Sequence, residues 1–168
     1  LKAESDLPIL GVVEPACRRA EKMTKSKKVG LIATAASVRS GQYERTIAAI
    51  DPTVEVIGAA CPLFVPLVEN GRYRVGDAVV EQIAEEYLAP LREAGVDTLI
   101  MGCTHYPLLT EVVGKIMGEG VELINAGAEA AWELKRTLTA TDALATEREG
   151  AYKLYASDIT GDFAALAG

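Results

Sequence analysis

Gly102-Cys103-Thr104-His105-Tyr106-Pro107 is the segment of this 168-residue chain whose residue types and spacing point most directly to chemistry. It joins the apolar run 97–101 to a helix that Pro107 is placed to open, since proline lacks only a donor that is orphaned at a helix start. In a locally extended segment, positions two apart share a side, which puts the Cys103 thiol beside the His105 imidazole while Thr104 faces away or offers its amide. An imidazolium, or the positive end of the following helix, lowers a thiol's pKa from about 8.5 toward neutrality, and the thiolate is the form that acts as base or nucleophile. The free amides of that helix start can also hold a carboxylate. A structural reading stays open beside the catalytic one: a cysteine at a strand end is often a small buried hydrophobe, and a nearby histidine a satisfied core residue. His105 is the only histidine of the chain and stands at a strand-to-helix crevice, which favours chemistry. One Cys and one His do not make a tetrahedral set and no Cys-x-x-Cys occurs, so no metal is expected.

The elements that must position this segment follow from periodicity. Short β-rich runs alternate with longer helical patterns, the signature of βαβ units around a parallel sheet flanked by helices. Strands are expected at 9–13, 28–33, 54–58, 97–101, 121–124 and 151–156. Helices are expected from Glu14-Pro15 to Met23 and over 40–50, 77–94, 107–117 and 128–138. The clearest is 77–94, where Val79, Val80, Ile83, Ala84, Tyr87, Leu88 and Leu91 recur at helical spacing before a Gly95 cap. Residues 60–71 read as a long apolar loop, and 139–150 as a polar surface turn. In an open parallel sheet, ligands bind outside the carboxyl ends of the strands, which is where Cys103 falls.

Composition bounds the function. Hydrophobic residues make up 49% and charged residues 24%, a globular balance, while aromatics are only 5%, so the core rests on aliphatic side chains. A net charge of -7 and a pI near 4.8 argue against nucleic acid, and no apolar run approaches the roughly 20 residues of a membrane span. Three widely spaced cysteines make no disulfide framework, and a reducing cytoplasm is the simplest compartment.

The segment 102–109, preceded by Asp97-Thr98-Leu99-Ile100, resembles the second catalytic-cysteine motif of glutamate racemases. Three further segments resemble that family in the right order: Gly11-Val12-Val13-Glu14-Pro15, then Leu31-Ile32-Ala33-Thr34 with Ser40-x-x-Tyr43 behind it, then 60–69 from Ala60-Cys61-Pro62 to Glu69. The resemblance covers almost the whole chain. It implies a racemase without cofactor or metal that interconverts L- and D-glutamate to supply the D-isomer for peptidoglycan. Two cysteines then face opposite sides of the substrate's α-carbon, one taking a proton as thiolate and the other giving one as thiol. Carried onto this chain, Cys103 is the acid/base, Thr104 and His105 hold substrate and tune the thiol, and Glu69 orients His105 or the substrate ammonium. Thr34 and Ser37, just past a strand end, have hydroxyls that can hold the substrate carboxylate, although Ser37 stands where the family usually has Thr, and both suit helix caps equally.

The family's Asp-Ser-Gly, Pro-Tyr-Gly and Cys-Asn-Thr segments, the last with the first catalytic thiol, do not occur here. Cys61 lies in an apolar stretch and Cys17 in a first helical turn, and both read as packed rather than catalytic. On the family's two-domain map, 7–125 is the second α/β domain and 126–168 the returning part of an incomplete first one, with 155–162 resembling the family's late strand and turn. An intact first domain implies roughly 90 to 100 further residues at the front. The chain is therefore expected to be truncated and not competent alone. Without its first domain, the faces of Trp132, Leu134 and Leu138 are expected to lack cover, favouring a homo-oligomer or disorder near the end. Two other readings remain: a relative acting on aspartate, hydantoin or a malonate, and a noncatalytic α/β binding module.

Overall fold

The computed structural model describes residues 8–145. Four parallel strands form one sheet: β1 (Lys28–Ala33), β2 (Glu55–Ala60), β3 (Thr98–Met101) and β4 (Glu122–Asn125), in the spatial order β2-β1-β3-β4. Around it run α1 (Val13–Met23), α2 (Ala35–Arg39), α3 (Gln42–Ile50), α4 (Phe64–Glu69), α5 (Ala78–Glu93), α6 (Thr110–Met117) and α7 (Ala126–Ala140). The expected α/β class and its parallel sheet are thus observed. The strand expected at 151–156 and the turn at 155–162 lie outside the described residues.

Alternation along the strands sends side chains into two layers. On one face Ile32, Leu99 and Met101 meet α4, α5 and α6 through Phe64, Val68, Val80, Ala84, Leu88, Leu91, Val112 and Val113. On the other, Val29, Leu31, Ala33, Ile100 and Ile124 meet α1 and α3 through Ala16, Cys17, Ala20, Tyr43 and Ile47. Gly30 lets the first layer close: a Cβ there would stand 2.7 Å from Leu99 Cδ1 and 3.0 Å from Val96 Cγ1. α5 shows why its pattern was readable. Asp77 caps it by accepting the Val79 N–H at 3.0 Å, its buried residues recur every three or four positions, and Gly95 ends the turn at a φ of 78°.

Three expectations are corrected. Residues 9–13 form no strand: they pair with no strand of the sheet, Leu10 and Val12 are exposed, and the chain enters α1 at Val13. The apolar stretch 60–71 is not all loop, since 64–69 are helical; Pro66 is tolerated there because the first turn of a helix needs no donor from it. Pro107 opens a 3-10 turn, Tyr106–Leu109, and α6 begins only at Thr110.

Candidate active site

The order β2-β1-β3-β4 reverses direction between β1 and β3. From β1 the chain steps outward to β2, then crosses back to β3 and continues to β4. Such a switch point opens a crevice at the carboxyl ends of the two central strands, and Thr34 follows one of them while Gly102 and Cys103 follow the other. The Gly102 N–H donates to Ile32 O at 2.8 Å, so β3 stays paired up to the residue before the thiol.

What holds the next turn is Tyr106. Its ring is fully buried and meets Phe64 edge-on at 5.3 Å, and its hydroxyl donates to Cys61 O at 2.9 Å. The Tyr106 N–H returns to Cys103 O at 3.2 Å. Residues 103–106 therefore turn, not extend as the i, i+2 argument assumed, but the outcome it sought survives: Cys103 Sγ lies 3.9 Å from His105 Nδ1. On the far side of the ring, His105 Nε2 lies 3.3 Å from Oε1 of Glu69, the last residue of α4.

This line of three groups has a defined proton logic. A carboxylate beside Nε2 favours the tautomer with its proton there, which leaves Nδ1 to accept from the thiol. Half of the Glu69 side chain is exposed, so an ion pair there adds little to stability.

Cys103 and Thr104 open on a cavity of ≈ 410 Å³ whose other walls include Tyr43, Met101, Gly102 and Asn125. His105 and Glu69 stand behind the thiol and do not line that space. Thr34 and Ser37 are engaged with each other: the Thr34 hydroxyl caps α2 by accepting the Ser37 N–H at 3.3 Å, and the two hydroxyl oxygens are 3.1 Å apart. The cap reading of these residues is realised, at the carboxyl end of β1 but off the cavity wall. Among the described residues no group of three or more His, Cys, Asp or Glu is placed to hold a metal ion.

Cys17 and Cys61 are both fully buried. Burial pushes each thiol up to about 12, with Glu44 and Glu14 adding to the effect at Cys17. Their Sγ atoms donate to backbone carbonyls, Tyr43 O at 3.8 Å and Ala59 O at 3.5 Å. Sequence reasoning did not single out Asn125 or Tyr43 as cavity residues. Asn125 caps α7 by accepting the N–H groups of Gly127 and Ala128 at 3.0 and 3.1 Å, and an Asn between a strand and Ala-Gly-Ala was a usable sign. Tyr43 stood in the Ser40-x-x-Tyr43 segment of the resemblance, but its approach to Cys103 depends on how α3 folds back over the sheet.

An open parallel α/β sheet with a thiol and an imidazole at its switch point defines a class of protein that can move a proton on a small ligand held at the strand ends. The chain belongs to the Asp/Glu/Hydantoin racemase family, whose model matches residues 1–134. It is 43% identical over 164 residues to a glutamate racemase of Geobacter metallireducens, an alignment spanning 97% of this chain and 60% of that relative. It is 44% identical over 170 residues to the glutamate racemase of Corynebacterium diphtheriae, covering 99% of this chain and 62% of that relative. Among solved structures it is similar to the glutamate racemase of Francisella tularensis in complex with D-glutamate, with a TM-score of 0.87 at 30% identity over 98% of this chain and 60% of that one. An isoform from Bacillus anthracis gives a TM-score of 0.80 at 38% identity, over 86% and 54%. The chain thus spans about 60% of the length of these two curated relatives.

Proposed function

We propose that the chain is the part of a glutamate racemase that supplies one of two opposed thiols, with Cys103 as the acid/base on one face of the substrate's α-carbon and without a cofactor. The observation that carries this reading is the line Glu69, His105, Cys103 ending at a cavity of amino-acid size. The similarity to glutamate racemases, one of them solved with D-glutamate, supports glutamate as the ligand and D-glutamate supply for peptidoglycan as the role.

The chemistry starts from a C–H bond far less acidic than any side chain. Cys103 as thiolate takes the α-hydrogen, and the charge that develops spreads onto the substrate carboxylate, where fixed donors and exclusion of water must stabilise it. Thr104, on the cavity wall, is assigned to holding substrate, His105, behind the thiol, to tuning it, and Glu69 to keeping His105 oriented. The hydroxyls of Thr34 and Ser37 are engaged in the α2 cap and off the cavity wall, so no substrate contact is assigned to them.

Returning the proton from Cys103 restores the starting enantiomer. Inversion needs a second donor on the other face, and neither buried thiol can reach the cavity. The second base is therefore assigned to another domain laid across the crevice, with 7–125 as the Cys103 domain and 126–168 as part of that other domain. The outward face of α7 supports this assignment: Ala126 is its only buried residue, and Trp132 is 61% exposed.

The test is the 168-residue chain in D₂O with L-glutamate, followed by proton NMR and by chiral analysis. The expected result is exchange of the α-hydrogen without inversion, absent in Cys103→Ala. Racemisation of both enantiomers by the chain would refute the one-thiol argument.

A further inference from the structure

The cavity beside Cys103 has a polar group on its wall that the reading above does not use. Tyr43 of α3 is only 5% exposed and its ring packs in the core layer with Ile47, Leu31 and Cys17. Its hydroxyl end reaches the cavity, because an ideal Cβ on Gly102 would lie 3.1 Å from Tyr43 Oη, and both residues line that space. Among the described residues this hydroxyl makes no hydrogen bond, in contrast to Tyr106, the other deeply buried tyrosine, whose hydroxyl is bound to Cys61 O.

Phe would fill the same ring space, so what the hydroxyl adds is a donor and acceptor where the ring's end opens on the cavity. Gly102 points the same way. A methyl group there would crowd Leu31 Cδ1 at 3.0 Å and Ala33 Cβ at 3.3 Å as well as the hydroxyl, so the residue before the catalytic thiol leaves room for the tyrosine to reach through.

We propose that the Tyr43 hydroxyl is a substrate-binding donor, giving its hydrogen to a carboxylate oxygen of the amino acid held against Cys103, with Gly102 as the clearance that admits it. A donor at this place must stay protonated while a thiolate forms nearby. Burial first, then the charges of Cys17 and Cys103, raise the Tyr43 phenol above its ordinary range and keep it so. A neutral donor also suits the reaction, because it strengthens its bond as negative charge moves onto the carboxylate and gives up no proton.

This inference rests on the racemase reading, and its test separates the two. Carbamidomethylation of Cys103 by iodoacetamide, read by peptide mass spectrometry, is followed as L- or D-glutamate is titrated into the full 168-residue chain, each variant being referred to its own rate without ligand. Glutamate is expected to protect Cys103 in the wild type, and Tyr43→Phe is expected to need about tenfold more glutamate for half-protection. Gly102→Ala, which leaves the phenol in place but takes its clearance, is expected to shift protection in the same direction. Equal protection of wild type and Tyr43→Phe would overturn the role of Tyr43 and leave the racemase reading standing. Absence of protection in the wild type would overturn both.

Discussion

Cys61 and Cys103 occupy matching places in the fold and have opposite surroundings. Each follows a parallel strand at the carboxyl edge of the sheet, and in each case the backbone is still tied to β1, by Cys61 N donating to Ala33 O at 3.0 Å and Gly102 N to Ile32 O at 2.8 Å. Cys61 then turns inward among Phe64, Val68 and Tyr106, and burial pushes its thiol up to about 12. Cys103 turns outward to a cavity, half-buried, with an imidazole 3.9 Å away. The strand end gives a thiol the opportunity for chemistry, and the neighbours decide whether it is used. Tyr106 links the two outcomes, since the side chain that fixes the Cys103 turn is also the one that caps the Cys61 carbonyl.

The widest gap between the two sites is expected in catalysis. Cys103→Ala should lower α-hydrogen exchange by about a thousandfold or more, the scale of losing a positioned acid/base group. Cys61→Ala should leave exchange within about twofold and cost about 1 kcal/mol of stability through the small void it makes, measured by denaturant unfolding. Comparable losses of exchange from both would break the comparison. Alkylation of the native chain should separate the same two thiols by a smaller margin. At pH 8 a thiol with a pKa of about 12 is ionised to roughly one part in ten thousand, so Cys61 and Cys17 should label at least about a hundredfold more slowly than Cys103.

The link between the sites can be cut without touching either thiol. Tyr106→Phe keeps the edge-on packing on Phe64 and removes the hydroxyl, leaving Cys61 O without that donor. A loss of about 1–2 kcal/mol in unfolding free energy is expected, together with lower exchange because the 103–106 turn is less firmly held. The opposite end of β3 provides the contrast, a carboxylate with a structural role only. Burial alone would raise Asp97, but hydrogen bonds from the Thr24 hydroxyl and the N–H groups of Ser26 and Lys25 outweigh it and bring the carboxyl down to about 2. Its folded value is below its unfolded one, so its contribution is complete above about pH 4 and is lost as pH falls toward 2. Allowing for partial exposure, about 1 kcal/mol should disappear over that window in the wild type and be absent from the pH dependence of Asp97→Asn.

How much of this was legible in the sequence divides along the same line between local and nonlocal causes. The alternation of strands and helices and the whole of α5 rest on neighbours within a few residues and were legible, and the nearness of thiol and imidazole was too, although a turn and not an extended segment brings it about. The run 9–13 was misread because its apolar residues suit a strand whether or not the chain joins the sheet there. Helix α4 was hidden by Pro66, whose harmlessness depends on falling in a first turn. Thr34 and Ser37 could not be decided between cap and ligand, and the cap is what the structure displays. Tyr43 and Asn125 come to Cys103 only because β1, β3 and β4 lie side by side, a juxtaposition no window of sequence contains.

Glu69 gives the smallest and most discriminating effect. Its Oε1 is 3.3 Å from His105 Nε2, but half its side chain is exposed, so an ion pair there adds little to stability. If its work is to hold the imidazole with Nδ1 toward the thiol, Glu69→Gln should preserve most of it, because the amide oxygen can still accept from Nε2. Glu69→Ala should lower exchange by about threefold to tenfold, with Glu69→Gln between it and the wild type and all three melting at nearly the same temperature. If instead the carboxylate met the substrate ammonium directly, Gln and Ala would be equally poor and the loss would appear in KM. The ordering of these two variants, more than the size of either loss, therefore decides whether Cys103 differs from Cys61 by a two-residue pairing or by a three-group line.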